Sequence, residues 1–185
     1  MRFAIALLSF FAAAMPAAAQ LDAVPEEAKA AYRRGVTLER LDDREGANRQ
    51  FQQACDAGDT RGCIALAHSL RIGDRVPQDF ERAFALYEKA CDMDNPAGCS
   101  GVAYMHNQGN GVDQDFDAAL EAYKEACDLG EMSGCAGAGN ILVAGQASTR
   151  NRTEGARLLR QACANEYDWA CTRLRDLGQP RDLGQ

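Results

Sequence analysis

Residues 54–63 read ACDAGDTRGC, with two cysteines eight positions apart around a stretch rich in Asp and Gly. The same arrangement returns as ACDMDNPAGC at 90–99, ACDLGEMSGC at 126–135 and ACANEYDWAC at 162–171. Successive copies are 36 residues apart, and together they use all eight cysteines of the chain. A period between roughly 20 and 50 residues predicts a solenoid, in which each unit buries its apolar face against its neighbours.

Each unit has the sequence pattern of two helices. The apolar positions of its second half recur at i, i+4 and i+7, which indicates a helical stripe. Glycines follow the first helix, where a C-terminal cap is expected, and Asp or Asn precedes the second. The small residues predicted at the contact between the two helices are Ala67, Ala103 and Gly139 in the first and Ala83, Ala119 and Gly155 in the second; the caps are Gly73, Gly109, Gly145, Asp79, Asp115 and Asn151.

The cysteine spacing predicts a chain reversal between units. In one continuous helix, residues eight apart are separated by about 12 Å along the axis, whereas a disulfide needs Cα atoms closer than about 7 Å. A bond within each pair therefore requires a turn, and DAGDTRG, DMDNPAG and DLGEMSG supply turn residues. We favour the pairs Cys55–Cys63, Cys91–Cys99, Cys127–Cys135 and Cys163–Cys171.

Other uses of the cysteines are less well matched. Zinc sites usually place cysteines two to four residues apart, and no C-x-x-C redox motif is present. A rival disulfide pattern within each unit, beginning with Cys63–Cys91, stays open because the two ends of an antiparallel helix pair are adjacent. It would leave Cys55 and Cys171 at opposite ends of the molecule.

The N-terminal stretch MRFAIALLSFFAAAMPAAAQ predicts an exported protein. Its basic residue, apolar run and A-x-A sequence are typical of a secretory signal peptide over residues 1–19, with cleavage near Ala19. The periplasm or the extracellular space would permit disulfides, and no later stretch approaches the roughly 20 apolar residues of a membrane span. A net charge of −7 argues against nucleic-acid binding, and we expect a monomer.

The repeated unit resembles a known family. A first helix with L-A or V-A in its middle, then G-x-G-V, as in GNGV at 109–112, then D-F…A…Y-x-x-A-C, resembles Sel-1-like repeats. The added cysteine pairs resemble the Helicobacter cysteine-rich protein family, over about residues 60–178. The resemblance implies an all-α, right-handed superhelical solenoid of antiparallel helix pairs, stapled by disulfides. Its first helices would line a concave surface that binds a protein or peptide.

The first unit departs from this pattern. Its connection between helices is shorter and is similar to a tetratricopeptide repeat. The expected organisation is a signal peptide at 1–19, a tetratricopeptide-like helix pair at 20–59, three Sel-1-like repeats at 60–167, a capping helix at 168–178 and a flexible tail at 179–185.

Two classes of function compete. The resemblance implies an interaction adaptor, but members of the cysteine-rich type are also described as penicillin-binding proteins with weak β-lactamase (hydrolase) activity. None of the five serines is followed three positions later by Lys, so the serine β-lactamase signature is missing. With only two histidines and with cysteines committed to disulfides, we predict no catalytic residue, no metal and no cofactor. The adaptor is the preferred interpretation.

The partner-binding residues are predicted from the position of the small residue in each first helix. Positions one and four residues after it are expected to face the concave surface, and Tyr and Arg are frequent in binding hot spots. The positions are Val36, Glu39, His68, Arg71, Tyr104, Asn107, Asn140 and Val143; the residues chosen as the binding set are Tyr32, His68, Arg71, Tyr104, Asn107 and Asn140. His106 is expected to be packed, and Trp169 to cap the exposed core.

Overall fold

The computed structural model describes residues 24–73 and 76–178, and these residues form α-helices with no strand among them. The predicted signal peptide at 1–19 and the predicted tail at 179–185 lie outside the described residues. The all-α prediction is confirmed. The helices are α1 Glu26–Arg40, α2 Arg44–Asp56, α3 Thr60–Ile72, α4 Phe80–Cys91, α5 Pro96–Gln108, α6 Phe116–Asp128, α7 Met132–Ala144, α8 Arg152–Ala164 and α9 Asp168–Asp176.

The helices stack in chain order, and each packs against the next. We call α1, α3, α5, α7 and α9 the A helices and α2, α4, α6 and α8 the B helices. The predicted solenoid of antiparallel pairs is confirmed. None of the helices in the described part of the chain is both long and apolar enough to cross a bilayer.

The stack curves toward the A helices. The backbones of α3 and α5, and those of α5 and α7, approach each other across the intervening B helix. Within the described residues, no two successive B helices approach each other as closely as these successive A helices do. The side with the closer neighbours is the inside of a curved stack, so the A helices form its concave surface.

The predicted caps are present at both ends of the connection within each unit, at the end of the A helix and at the start of the B helix. Gly73, Gly109 and Gly145 adopt left-handed φ values of 74°, 70° and 69°, and each donates its N–H to a carbonyl in the last turn of its A helix. The side chains of Asp79, Asp115 and Asn151 accept backbone N–H groups in the first turn of the following B helix. These caps fix where each pair turns.

The reversal from each B helix to the next A helix also repeats every 36 residues. A residue with positive φ occupies the same place in each turn, at Gly58, Asp94, Gly130 and Glu166. The turn side chain then caps the A helix in three of the four copies, at Asp59, Asn95 and Glu131. This second set of caps was not predicted, although its residues also recur with the period.

The disulfides join the cysteines on either side of these turns. Their Cα atoms lie 4.6 to 4.7 Å apart, and no free cysteine remains among the described residues. The favoured pairing is confirmed, and the rival pairing that begins with Cys63–Cys91 is wrong. The bonds are Cys55–Cys63, Cys91–Cys99, Cys127–Cys135 and Cys163–Cys171.

Small residues set the distance between the paired helices. Ala67, Ala83, Ala103 and Ala119 are all fully buried. In the last full pair even a methyl group is too large, because a Cβ on Gly139 would lie 2.8 Å from the Gly155 carbonyl oxygen. Two apolar clusters, one centred on α2–α4 and one on α7–α9, fill the space between the helices.

We predict that each disulfide stabilises the fold by constraining the unfolded chain. Closing a nine-residue loop is expected to contribute about 2 to 3 kcal/mol. The paired change Cys91→Ala and Cys99→Ala should therefore lower the free energy of unfolding by about this amount in guanidinium titrations. Peptide mapping without reductant provides the control, and a peptide linking Cys63 to Cys91 would contradict the assignment.

Candidate protein-interaction groove

A groove runs along the concave side of the stack. It consists of a larger hollow of about 1040 Å³ and a smaller one of about 440 Å³. The two hollows share Ser100, Tyr104, Ser133 and Tyr167, so they form one continuous surface. We call this surface the concave groove.

The predicted binding set lies along the concave groove. Tyr32, His68, Arg71 and Tyr104 line the larger hollow, while Asn107 and Asn140 line the smaller one with Tyr104. Glu39, predicted to face the same way, also lines the larger hollow. The structure therefore brings these residues together on one face, and their contact with a partner stays a prediction.

Two of the predicted positions face elsewhere. Val143 is only 6% exposed and belongs to the apolar cluster, with its side chain directed at Gly155 of α8. Val36 packs against the other cluster. A residue four positions after the small one is rotated from it by only about 40° on a helix. A short apolar side chain there turns toward the B helix, whereas the longer Arg71 reaches the groove.

All five tyrosines of the chain line the concave groove, and so does its single tryptophan. Tyr32 and Tyr104 come from A helices, and Tyr167 and Trp169 lie at the start of α9. Tyr104 is 38% and Trp169 49% exposed. Trp169 thus stands partly in solvent at the end of the groove, where its indole is open to a ligand.

Tyr87 and Tyr123 reach the groove from the B helices, which the sequence pattern did not predict. Each ring lies over a glycine of the following A helix: a Cβ on Gly101 would clash with the Tyr87 ring, and one on Gly137 would lie 2.7 to 2.8 Å from three atoms of the Tyr123 ring. The glycines therefore open the path from the B helix to the concave side.

A signal for this arrangement is present in the sequence. Tyr87 and Gly101 are 14 residues apart, as are Tyr123 and Gly137. The other units hold Phe51 with Ala65 and Leu159 with Arg173 at the same spacing. Tyrosine thus occupies this B-helix position only where the residue 14 positions later, in the following A helix, is glycine.

Two arginines lie over tyrosine rings in the groove. The Arg61 guanidinium is 4.6 Å from the Tyr32 ring centroid, and that of Arg71 is 5.0 Å from the Tyr104 ring centroid. Each pair joins α3 to a neighbouring A helix. A cation–π contact holds the guanidinium in place and leaves its N–H edge free to bond with other groups. For Arg61 that group is the Asp59 carboxylate.

The hydroxyls of Tyr87 and Tyr123 keep their protons over the physiological pH range. Burial raises the pKa of Tyr123 to about 12, and the nearby Tyr104 and Tyr167 act in the same direction. Burial also raises the pKa of Tyr87, although a hydrogen bond with Arg71 partly opposes this. The groove therefore offers neutral hydroxyl groups that can donate hydrogen bonds to a ligand.

The two histidines have different environments. His68 lies in the groove, where burial and then the positive charge of Arg71 lower its pKa, with Glu39 opposing them. His106 packs edge-on against Phe84, with ring centroids 5.2 Å apart, as expected for a packed side chain. Its Nδ1 has no hydrogen-bond partner among the described residues.

The polar groups at the far end of the groove are bonded to each other. Arg173 Nε donates to Asn140 Oδ1 over 2.8 Å, and Ser133 Oγ donates to Glu131 Oε1 over 2.9 Å. The Ser100 and Ser133 hydroxyl oxygens are 3.4 Å apart. Neither hydroxyl is hydrogen-bonded to a His or Lys among the described residues.

One cluster has the geometry but not the chemistry of a metal site. Ligand atoms of Cys91, Cys99 and Glu125 lie within 4.8 Å of one another. Both sulfur atoms belong to a disulfide, and a metal needs the thiolate form of cysteine. The cluster is therefore a structural feature of the turn.

The fold and the groove define a helical-repeat solenoid with a concave surface. The sequence matches the Sel1 repeat model three times, at residues 60–95, 96–131 and 133–167. Because the match covers more than half of the chain, the protein belongs to the Sel1 repeat family, and the predicted Sel-1-like repeats are confirmed. Sel1 repeats are in general protein-interaction modules.

Several solved structures share the fold. A Sel1 repeat protein from Oxalobacter formigenes matches with a TM-score of 0.75 at 18% identity, over 85% of this chain and 66% of that one. A protective antigen of uropathogenic Escherichia coli with an SLR fold matches with a TM-score of 0.74 at 25% identity, over 84% of this chain and 35% of that one. The chain thus corresponds to part of each of these proteins.

A third similar structure is Helicobacter pylori cysteine-rich protein B, with a TM-score of 0.47 at 24% identity, over 62% of this chain and 96% of that one. Among curated proteins, none matches the sequence.

We predict that Gly101→Ala destabilises the protein by about 1 to 3 kcal/mol, although Ala is the better helix former. The reason is the clash of the new methyl group with the Tyr87 ring. Chemical denaturation measures the change. In a Tyr87→Leu background, which copies the Leu159 unit, the cost of Gly101→Ala should shrink. An equal cost in both backgrounds would show that Tyr87 is not the residue displaced.

We predict that His68 titrates below its ordinary pKa of 6.5. Arg71→Gln should raise the His68 pKa by removing a neighbouring positive charge, and Glu39→Gln should lower it further. Because the folded state disfavours the protonated ring, folding loses stability through this group as the pH falls below 6.5. NMR titration of the His68 ring protons measures these shifts, with the wild-type protein as the control.

Proposed function

We propose that the protein is an exported interaction adaptor that binds an extended peptide segment of a protein partner in the concave groove. The observation that carries this proposal is the convergence of every tyrosine, the single tryptophan and Arg71 on one groove. Tyr, Trp and Arg are the residues most enriched in binding hot spots. A merely solvated face would carry interchangeable Lys, Glu and Gln.

The shape of the groove favours a peptide over a small molecule. Small-molecule sites usually enclose about 300 to 1000 Å³ in one concave cavity. Here the larger hollow alone has about 1040 Å³ and continues into a second one. Aromatic rings alternate with hydroxyl, amide and guanidinium groups along it, which suits the alternating backbone and side chains of an extended chain.

The binding residues proposed are Tyr32, His68, Arg71, Tyr104, Asn107 and Asn140, with Tyr87, Tyr123 and Trp169 added from the structure. The tyrosines supply large, rigid contact areas at low cost in conformational entropy. Asn107 offers its amide to a peptide backbone, whereas Asn140 already accepts a bond from Arg173. A partner would therefore meet a partly preorganised surface.

The disulfides support export. Four disulfides persist in an oxidising compartment and are rare in the cytosol of mesophilic organisms. The signal-like sequence at 1–19 adds independent support. We therefore propose that the protein acts as a monomer in the periplasm or outside the cell.

The test uses the oxidised protein and a displayed library of random peptides. Peptides selected on the wild type should bind at least about 100-fold more weakly to the combined variant His68→Ala, Arg71→Ala and Tyr104→Ala, because hot-spot truncations cost about 2 kcal/mol or more each. Fluorescence anisotropy with synthetic peptides measures the affinities.

The matched control changes three exposed residues of the B helices: Glu88→Ala, Glu121→Ala and Lys124→Ala. This variant should keep the wild-type affinity, and circular dichroism should show unchanged helicity for both variants. If the B-helix variant loses binding while the groove variant keeps it, the interaction surface lies on the convex side and the proposal is wrong.

A further inference from the structure

The charged groups of the larger hollow are, with one exception, already bound within the protein. Arg61 makes two hydrogen bonds to Asp59, of 2.9 and 2.7 Å. Glu39 accepts a 2.7 Å bond from Arg44. Glu131 caps α7 and accepts from Ser133. The one remaining charged side chain of this hollow is that of Arg71.

Arg71 has no ion-pair partner among the described residues, although the protein carries a net charge of −7. Its guanidinium instead lies over the Tyr104 ring, 5.0 Å from the ring centroid, and Tyr87 lines the same hollow. These neighbours hold the side chain half-buried in the groove and leave its positive charge uncompensated.

Neither acidic residue that lines the larger hollow is paired with Arg71. Glu131 is the residue before α7, as Asp59 is the residue before α3. In α3 this position lies twelve residues before Arg71. Twelve residues correspond to about 18 Å along a helix. Glu131 therefore lies toward the opposite edge of the groove, while Arg71 is in the last turn of α3. The neighbouring Glu39 is engaged by Arg44.

We infer that Arg71 is the anchor for a carboxylate of the bound peptide, held by the guanidinium edge beside Tyr87 and Tyr104. This inference rests on the proposed peptide-binding function and specifies its ligand: a peptide with an Asp or Glu side chain, or a chain terminus, at one fixed position. A planar guanidinium stacked on a ring presents two parallel N–H groups, which match a carboxylate in a bidentate pair.

A singly charged carboxylate fits this position better than a phosphate group. Phosphate sites gather several cations or the N-terminal N–H groups of a helix, whereas Arg71 is a single cation near the negative C-terminal end of α3. His68 adds no full charge at neutral pH, because burial and Arg71 hold its pKa below the usual value.

The experiment is a cycle of peptide and protein changes. Linear 12-residue peptides displayed with free C termini are selected on the wild type, and the acidic groups of the selected sequences are neutralised one at a time in synthetic peptides. We expect one Glu→Gln or Asp→Asn change, or amidation of the C terminus, to weaken binding at least tenfold. The change that weakens binding shows whether the carboxylate belongs to a side chain or to the C terminus of the peptide.

The protein side of the cycle uses Arg71→Gln, with Arg152→Gln on the exposed start of α8 as a control of equal charge. The neutralised and acidic peptides should bind Arg71→Gln equally, whereas Arg152→Gln should keep the tenfold preference. Circular dichroism checks that both variants fold. Arg71→Lys retains the charge without the bidentate edge and should recover only part of the preference.

The outcomes separate the inference from the proposed function. If Tyr104→Ala abolishes binding but no neutralised peptide loses affinity, or the loss persists in Arg71→Gln, the carboxylate anchor is wrong and the groove still binds peptides. If no peptide selected on the wild type depends on the groove residues, the proposed function fails, and the anchor fails with it.

Discussion

The stack depends on a backbone contact beside each disulfide. The residue before the second cysteine is glycine in the first three pairs, at Gly62, Gly98 and Gly134, and a Cβ there would lie 2.6 to 2.9 Å from atoms of the preceding B helix. The absent side chain lets the next A helix approach closely enough for Cα atoms 4.6 Å apart. In the last pair Ala170 takes this place, fully buried against α8.

The groove is a consequence of the same use of small residues. Close packing within and between pairs places successive A helices side by side, and Gly101 and Gly137 then allow two B-helix tyrosines through to the concave side. Residues that line the groove thus come from both helices of a pair. A substitution on a B helix, such as one at Tyr87, changes the floor of the groove without altering any A-helix residue.

The sequence predicted the elements well because their signals are local and repeated. The 36-residue period, the glycine caps and the turn between paired cysteines each depend on a few adjacent residues, so they could be derived before any packing was known. The directions of the side chains could not be derived in this way, because they depend on packing between helices. Val143 and Arg71 occupy the same position in their repeats, yet Val143 turns to the core because it is short and apolar. Tyr87 and Tyr123 belong to the B helices, yet their rings also line the groove because glycines lie beside them.

The local disulfides have a consequence for how the protein is made. Eight cysteines can pair in roughly a hundred ways, but here each cysteine bonds with the one eight residues away. If the chain is exported as proposed, with its N terminus first, the correct partner of each cysteine is the first one to arrive. Oxidation can therefore proceed in order of emergence, with each turn closed before the next pair of thiols is exposed. Mispairing is limited by timing as well as by geometry.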